Sequence, residues 1–576
     1  MFLPTTKQEM DQLGWDQLDI ILVSGDSYID SPYSGIALIG RVLQKAGYRV
    51  GVIAQPDPND TKDISRLGEP ALFWGVSAGA VDSLVSNYTA LKKPRKQDDF
   101  TPNGINNRRP DRATIVYTNL IRRAFKNTCP ILLGGIEASL RRISHYDFWT
   151  NKIRGSVLLD AKADYLLYGM ADKSVLQFAA AIKNGESPES IRGLVFASKT
   201  LPLNAIELPS LDAVRADSNA FIKAFTLFYQ NCDPVTGQRT AQRHDERWIV
   251  VNPPARTLST MEMDEIYAQP FTREQHPYYE AQGKVKALET IRFSVVTHRG
   301  CYGECNFCAI AVHEGRTVQW RSERSILHEI QQISKLPDFK GNIYDLSGPT
   351  ANMYGFECQK KLSSGACRDK RCLTPQPCLT LRIDHQPHLS LLEKARKIEG
   401  VKKVFIASGI RYDMLLRDPG SGNAYLKEIC DHHVSGQLKV APEHDSPKVL
   451  QLMGKPGKES LIQFKEKFDQ LSKNGGSSKP KQFLTYYFIA AHPGCTRKDM
   501  LGLKTFASTK LHVTPEQTQI FTPTPSTWST LMYATETDPF TGEHIFVEKD
   551  PVQKQKQKDI LLEKDKHKYG KNPAGL

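Results

Sequence analysis

Short apolar runs bounded by Gly, Pro or Asp recur along the whole chain and alternate with helix-like stretches. This alternation limits the architecture before any motif is considered. In the first half the runs are residues 19–24 (DIILVS), 49–54 (RVGVIA), 72–77 (LFWGVS), 130–134 (PILLG) and 165–168 (YLLY). Runs apolar at nearly every position fit parallel strands covered on both faces. Between them, residues 37–46 and 114–126 read as helices. In the second of these, Ile115, Val116, Leu120, Ile121, Ala124 and Phe125 share one face. The expected fold is α/β, with a doubly wound N-terminal domain. Residues 92–112 interrupt it with a basic Pro/Gly/Asn-rich loop, and residues 200–285 read as a linker region packed onto its neighbours.

From about residue 290 a second alternation begins, with candidate strands at 293–297, 343–346, 379–383, 403–407, 437–440, 483–490 and 518–521. Ser446 before Pro447, and Thr496 with Asp499 as a capping box, mark helix starts, and Ile326, Ile330 and Ile333 form one stripe. Six or seven βα units imply a partial (β/α) barrel, with a closed eight-stranded barrel as the alternative. The expected units are an N-terminal domain over 1–285, a core over 286–550 with a Cys-rich insertion at 356–380, and a Lys/Gln-rich tail over 551–576.

Composition narrows the class. With 576 residues, 40% hydrophobic and 24% charged, the chain is ordinary globular protein, which excludes a disordered or fibrous one. The longest apolar run, residues 484–491, falls far short of the roughly 18–20 residues of a membrane span. The start lacks the basic-then-apolar pattern of a secretory signal, so a cytoplasmic location and no membrane partner are expected. The net charge of +13 is compatible with nucleic-acid binding, and equally with a solvated surface. Eleven cysteines without an export signal point to metal binding or catalysis before disulfides.

The densest chemistry is Cys301-Tyr302-Gly303-Glu304-Cys305-Asn306-Phe307-Cys308, directly after the strand at 293–297. Three thiolates on one loop can wrap an iron–sulfur cluster and leave one iron open, since cubane clusters take four ligands. The alternative is a three-cysteine zinc site completed by His298 or His313.

This loop, with an aromatic before its last cysteine, resembles the radical S-adenosylmethionine (SAM) superfamily. The likeness continues through Leu346-Ser347-Gly348-Pro349-Thr350, Ala441-Pro442-Glu443-His444 and the turn Pro493-Gly494-Cys495-Thr496. SGDSYIDSPYSGIALIGRVLQKAGYRVGVIAQPD, IASGIRYD and KVAPEH are similar to the YgiQ-like family within it, over about residues 15–550. The resemblance implies a [4Fe–4S] cluster on Cys301, Cys305 and Cys308. SAM would fill the open iron and be cleaved reductively to a 5′-deoxyadenosyl radical. It further implies that Phe307 lies against the adenine, that Ser347 and Gly348 contact the methionyl end, that Glu443 reaches the ribose, and that a flavodoxin or ferredoxin donates electrons. Pro349 stands where the amino-group motif often carries an acid. The competing reading is an iron–sulfur electron-transfer or redox-sensing protein without SAM catalysis. The substrate is not implied by the resemblance.

Cys358, Cys367, Cys372 and Cys378 lie in the insertion, in surroundings too polar for core cysteines. They are a candidate second metal site, for a cluster or zinc, with unpaired thiols as the alternative. Cys129, Cys232, Cys430 and Cys495 read as structural. Asp30-Ser31-Pro32-Tyr33-Ser34-Gly35 resembles the cobalamin-binding turn DxHxxG with proline in place of the cobalt-ligating histidine, so cobalamin is not expected. Gly134-Gly135 marks a ligand-facing strand end. Residues 92–112 carry a net +4 and the tail from Glu548 a net +3, yet neither is interleaved with aromatics as base stacking requires. The expected substrate is a small molecule or a macromolecule-linked group enclosed between the domains, with RNA as the alternative.

Overall fold

The computed structural model describes residues 1–368, 370–473 and 482–563. Strands β1 (Ile20–Ser24), β2 (Val50–Ala54), β3 (Phe73–Ser77), β4 (Ile131–Gly134) and β5 (Tyr165–Leu167) pair in parallel in the order β2-β1-β3-β4-β5. Every residue of β1 and β2 is buried, which accounts for their unbroken apolar runs. Successive side chains enter different cores. Leu22 and Leu132 pack with helices α1 (Gly35–Lys45) and α4 (Asp172–Asn184) on one face. Ile21, Val23, Ile131 and Leu133 pack with α2 (Ala113–Ala124) and α3 (Gly135–Leu140) on the other. This is the doubly wound arrangement expected.

The sheet does not end there. β6 (Leu194–Ser198), β7 (Ile206–Leu208), β8 (Thr240–His244) and β9 (Arg247–Val251) extend it to nine strands, continuing β5-β6-β9-β8-β7. Residues 200–285 are therefore not simply a linker: three strands of the first sheet lie within them. β8 (TAQRH) has no apolar run because its buried Gln242 is satisfied by hydrogen bonding, accepting from Ser144 N (2.9 Å) and donating to Ser144 Oγ (2.7 Å). After this hairpin comes helix α5 (Ser218–Gln230) in space though not in chain, packed beside the sheet with Phe221, Phe225 and Phe228 buried.

In the second half, β10 (Val295–Val296) pairs in parallel with β12 (Leu346–Ser347), and β11 (Asn342–Ile343) with β13 (Lys403–Val404). β14 (Gln437–Glu443), β15 (Phe483–Ala490) and β16 (Gln517–Ile520) form a parallel set, joined to the others by a parallel bridge from Ile410 to Val440. Among the described residues β16 pairs with β15 alone and β10 with β12 alone, so the barrel is open. The helices used below are α6 (Ile310–His313), α7 (Glu323–Ile333), α8 (Pro447–Met453), α9 (Trp528–Thr535) and α10 (Pro551–Leu562).

One expected strand is absent. None forms at 379–383: Leu379 is 93% exposed, while Leu381 turns back onto Cys378 and enters a small core with Tyr302 and Phe356. The Lys/Gln-rich stretch from Pro551 forms helix α10, which docks on the barrel. Ile560 and Leu561 join its core, and Lys554 is buried, donating to the Tyr533 hydroxyl at 2.8 Å. Residues 564–576 lie outside the described residues. The basic loop is also committed internally. Arg109 is buried between Asp26 and Asp98, Arg112 pairs with Asp147, Arg108 bonds Gln282, and Arg95 and Lys92 bond backbone carbonyls. Among the described residues no helix is long and apolar enough to cross a membrane.

Candidate functional site

Residues 301–308 leave the barrel just after β10 and fold back on themselves. Cys301 N donates to Gly315 O (3.2 Å), Cys308 N to Cys305 O (3.0 Å), and Asn306 uses both its backbone N and its side-chain amide on the carbonyls of Met453 and Leu452 at the end of α8 (2.8 Å each). The loop is thus anchored by its backbone and by Asn306. Burial, and then the neighbouring thiols, push Cys301 and Cys308 above the ordinary thiol range. The compensating charge is Arg411. Its guanidinium is gripped by Asp413 (2.8 and 2.7 Å) and donates from Nη1 to Cys305 Sγ at 3.7 Å. Gly303 N donates to Cys301 Sγ at 3.4 Å, and Thr350 Oγ1 lies 3.6 Å from the same sulfur.

Among the described residues no group of three or more His, Cys, Asp or Glu side chains stands ready to hold a metal ion, the three loop cysteines included. The two histidines of the zinc alternative are engaged elsewhere. His298 bonds Thr297 Oγ1 (2.8 Å) and Thr350 O (3.0 Å), so both ring nitrogens are occupied, and His313 bonds Ser139 Oγ (3.1 Å). Burial lowers the pKa of each to about 4. The donor set that remains, three thiols on one loop beside a guanidinium, suits a cluster bound by three cysteines.

The expected SAM contacts surround this loop. Ser347 is buried and donates to Asp345 Oδ2 (2.9 Å), a carboxylate that also accepts from Ser408 Oγ (2.7 Å) and, on its other oxygen, Ala407 N (2.9 Å). Asp345, four residues before Pro349, is thus a carboxylate at this strand that sequence reading did not single out. Gly348 is required by close approach, since a Cβ there would lie 2.6 Å from His298 Nε2 and His298 O. Glu443 ends β14 in the left-handed region (φ 68°). Burial raises its pKa, opposed by Lys455, whose Nζ is 3.6 Å away, and by Arg411. Phe307 packs between the two large cores, edge-on to His492 with ring centres 6.3 Å apart. Arg411 belongs to the quoted segment IASGIRYD, which assigned it no role, and Lys455 lies outside the quoted segments.

The four insertion cysteines do not gather. Cys358 and Cys372 pack in the small core against Cys301 and Tyr302, with Lys361 Nζ 3.8 Å from Cys372 Sγ. Cys367 faces a separate cavity, and Cys378 contacts Cys372 through backbone, its N donating to Cys372 O at 2.8 Å. The insertion instead docks on the loop. Arg371 Nη1 donates to Glu304 O (2.8 Å) and Thr374 Oγ1 to Gly454 O (2.9 Å). Cys495 is fully buried, 3.5 Å from His444 Nε2, and does not face solvent.

The loop also faces the N-terminal sheet. α6 follows the last cysteine and sets His313 against α3. Arg299, two residues before Cys301, forms a buried bidentate pair with Asp172 (2.7 and 3.2 Å) and bonds Tyr267 (2.8 Å). Between them, at the carboxyl ends of β1, β3, β4 and β5, lies a largely apolar cavity of about 230 Å³, bordered by Pro32, Tyr33, Gly35, Val175, Arg299 and His313. Open α/β sheets bind ligands at this edge, where the strand order reverses between β1 and β3. Gly135 has φ 79°, and a Cβ there would lie 2.4 Å from Ser77 Oγ, so the edge stays uncrowded. The Tyr33 hydroxyl is buried without a hydrogen-bond partner among the described residues.

Residues 2–294 match the family described as Radical SAM N-terminal. A UPF0313 protein of Fusobacterium nucleatum is 57% identical over 98% of this chain and 100% of its own length. One from Thermotoga maritima is 48% identical over 98% and 99%. Among solved structures, the radical SAM methyltransferase TsrM from Kitasatospora setae, with tryptophan substrate and aza-SAM bound, aligns with TM-score 0.50 at 14% identity, over 88% of this chain and 74% of that one. The cobalamin-dependent SAM radical enzyme OxsB with aqua-cobalamin bound aligns with TM-score 0.51 at 12% identity, over 92% and 57%. These confirm the fold and correct one expectation. Pro32 does not exclude cobalamin, because the fold is shared with a cobalamin-dependent enzyme solved with aqua-cobalamin bound. By sequence, the chain belongs to the UPF0313 (YgiQ) family of radical SAM enzymes.

Proposed function

We propose that the protein cleaves SAM reductively at a [4Fe–4S] cluster held by Cys301, Cys305 and Cys308. What supports this reading is three cysteines within eight residues on one anchored loop, with the Arg411 guanidinium 3.7 Å from Cys305 Sγ and Gly303 N 3.4 Å from Cys301 Sγ. When bound and reduced, such a cluster supplies the electron that breaks the S–C5′ bond of SAM, giving methionine and a 5′-deoxyadenosyl radical. The chain's own groups bind and orient. Asp345 and Ser347 offer polar contacts at the end of β12, Glu443 and Lys455 at the end of β14, and Phe307 closes the apolar side. A pure electron carrier would need none of these strand-edge groups. The electron donor is a flavodoxin or ferredoxin, and the substrate is a small molecule or a macromolecule-linked group admitted between barrel and sheet.

Cobalamin belongs to the same reading. Pro32, Tyr33, Gly35 and Gly135 would border it at the sheet edge, opposite the cysteine loop. It would bring methyl-transfer or electron chemistry to that face, without an axial histidine from the DxHxxG-like turn.

Iron, sulfide and cobalt analysis of anaerobically reconstituted protein, with electron paramagnetic resonance of the reduced state, tests the reading. Four irons and four sulfides, with a spectrum altered by SAM, support it. A complete cluster indifferent to SAM would leave the electron-carrier reading in its place.

A further inference from the structure

On the outer side of the cysteine loop, away from the sheet edge, lies a second cavity of about 420 Å³. This is within the ~300–1,000 Å³ range of small-molecule sites. Six separate parts of the chain build it: α5, the cysteine loop, the segment after α6 that carries Arg316, the insertion, the end of α8, and α9 with the segment after it. Glu304 and Asn306, on either side of Cys305, form part of its wall.

Its chemistry is specific. Tyr229, Trp528 and Phe540 make a continuous aromatic wall, with ring centres 5.0 and 4.8 Å apart. Arg316 lies over Tyr229 at 5.2 Å and Arg371 over Phe540 at 5.3 Å, so a guanidinium stands at each end. Exposed Arg368 and Lys370 add two further cations. The opposing carboxylates are Glu304, already bonded by Tyr229 OH (3.0 Å) and Arg316 (3.4 Å), and Asp538, which accepts from Phe540 N (2.9 Å). Among the described lining residues, four cations face two engaged carboxylates.

Three lining residues carry buried polar atoms with no hydrogen-bond partner among the described residues: Trp528 Nε1, Arg316 Nε and Asn306 Oδ1. Trp528 is 7% exposed and Asn306 2%. Such atoms are normally paired, and each one left orphaned is a cost to the fold. Two donors and one acceptor thus await a ligand that offers both hydrogen-bonding senses, beside an aromatic wall and these cations.

We infer that this cavity binds a nucleotide, its heterocycle on the Trp528 wall and its phosphate toward Arg371 and Lys370. The heterocycle supplies ring edges that accept from Trp528 and donate to Asn306. The phosphate meets guanidinium and ammonium groups, for which charge-assisted bonds are the strong ones. A nucleotide seated there touches the residues flanking Cys305, which places it where it can alter the loop. The inference does not need SAM cleavage to occur.

The test is equilibrium dialysis of the full-length protein, without reductant or SAM, against the four ribonucleoside 5′-monophosphates, the matching nucleosides, and inorganic phosphate. At least one nucleotide should bind at micromolar concentration, and more tightly than its nucleoside. Arg371→Ala, Lys370→Ala and Trp528→Phe should each weaken it by roughly tenfold, the loss of one hydrogen bond to a charged or buried group. Exposed Lys199→Ala, far from the cavity in sequence, should leave it unchanged. Lys370 is exposed, so its variant is read without risk to folding. No nucleotide retained at roughly millimolar concentration, or equal retention by wild type and Lys370→Ala, overturns the inference.

Discussion

Asp172→Ala removes the carboxylate that faces Arg299 where the two halves of the chain meet. Both side chains are at most 4% exposed, and Arg299 spends Nη1 and Nη2 on Asp172 and Nε on Tyr267. Burial alone would lower the pKa of this guanidinium, yet Asp172 and Tyr267 raise it well above the ordinary value. Two charges ~4 Å apart at an effective dielectric of ~20 attract by about 4 kcal/mol. Breaking a buried pair costs about 3–5 kcal/mol, because the surviving charge is stranded. For domains of this size that lowers Tm by roughly 5–10 °C. Thermal unfolding followed by circular dichroism gives the number, and amide exchange over residues 295–301 gives its location. Replacing both residues, Asp172→Leu with Arg299→Met, should recover most of the loss, since no charge is left unpaired. A Tm drop below about 2 °C for the single variant, or a double variant as unstable as the single, would refute the reasoning.

Three further outcomes follow from the same geometry. His388 and His492 are held neutral, burial lowering their pKa to about 3, and His298 and His313 to about 4. Their stabilising contribution is complete above the unfolded value of ~6.5 and is lost as pH falls toward ~4, by up to ~1.4 kcal/mol per unit for each. Tm should therefore fall steeply between about pH 6.5 and about pH 5, and a flat profile there would contradict it. Arg411→Met removes the positive charge beside Cys305 and should lower the cluster's reduction potential in a redox titration, with Arg411→Lys between; an unchanged or raised potential would show that Arg411 does not act on the sulfurs. Gly348→Ala forces a methyl against His298 at a cost of ~1–3 kcal/mol, weakening SAM retention in equilibrium dialysis by about tenfold, whereas unaltered retention would remove Gly348 from the SAM site.

The parts legible in the sequence were those decided by local pattern. The strands β1 to β5 announce themselves because alternate residues such as Ile21 and Leu22 enter two different cores, leaving no polar position. The cysteine loop is legible because its three cysteines fall within eight residues. The missed parts are those decided by distant partners. β8 carries Gln242 and Arg243 where a strand reader wants Val or Ile, and distant partners satisfy the buried amide: Ser144, about a hundred residues earlier in the chain, and Pro209 O. Residues 379–383 looked like a strand, but Leu381 is captured by the small core around Tyr302. Asp30, in the cobalamin-like turn, is engaged by Arg41 and by Thr272 N (2.9 Å), a contact spanning most of the N-terminal half. Arg411 could not be assigned from spacing, because its approach to Cys305 is set by the barrel and not by the motif that contains it.

The central claim is reductive SAM cleavage at the three-cysteine loop, and product analysis tests it most directly. Reconstituted protein with verified cluster content is incubated anaerobically with SAM and dithionite, and 5′-deoxyadenosine and methionine are quantified by mass spectrometry. The account predicts both products in equal amounts from wild type, and neither product nor cluster absorbance from Cys305→Ala. Intact cluster with no 5′-deoxyadenosine, or the same yield from Cys305→Ala, would contradict it.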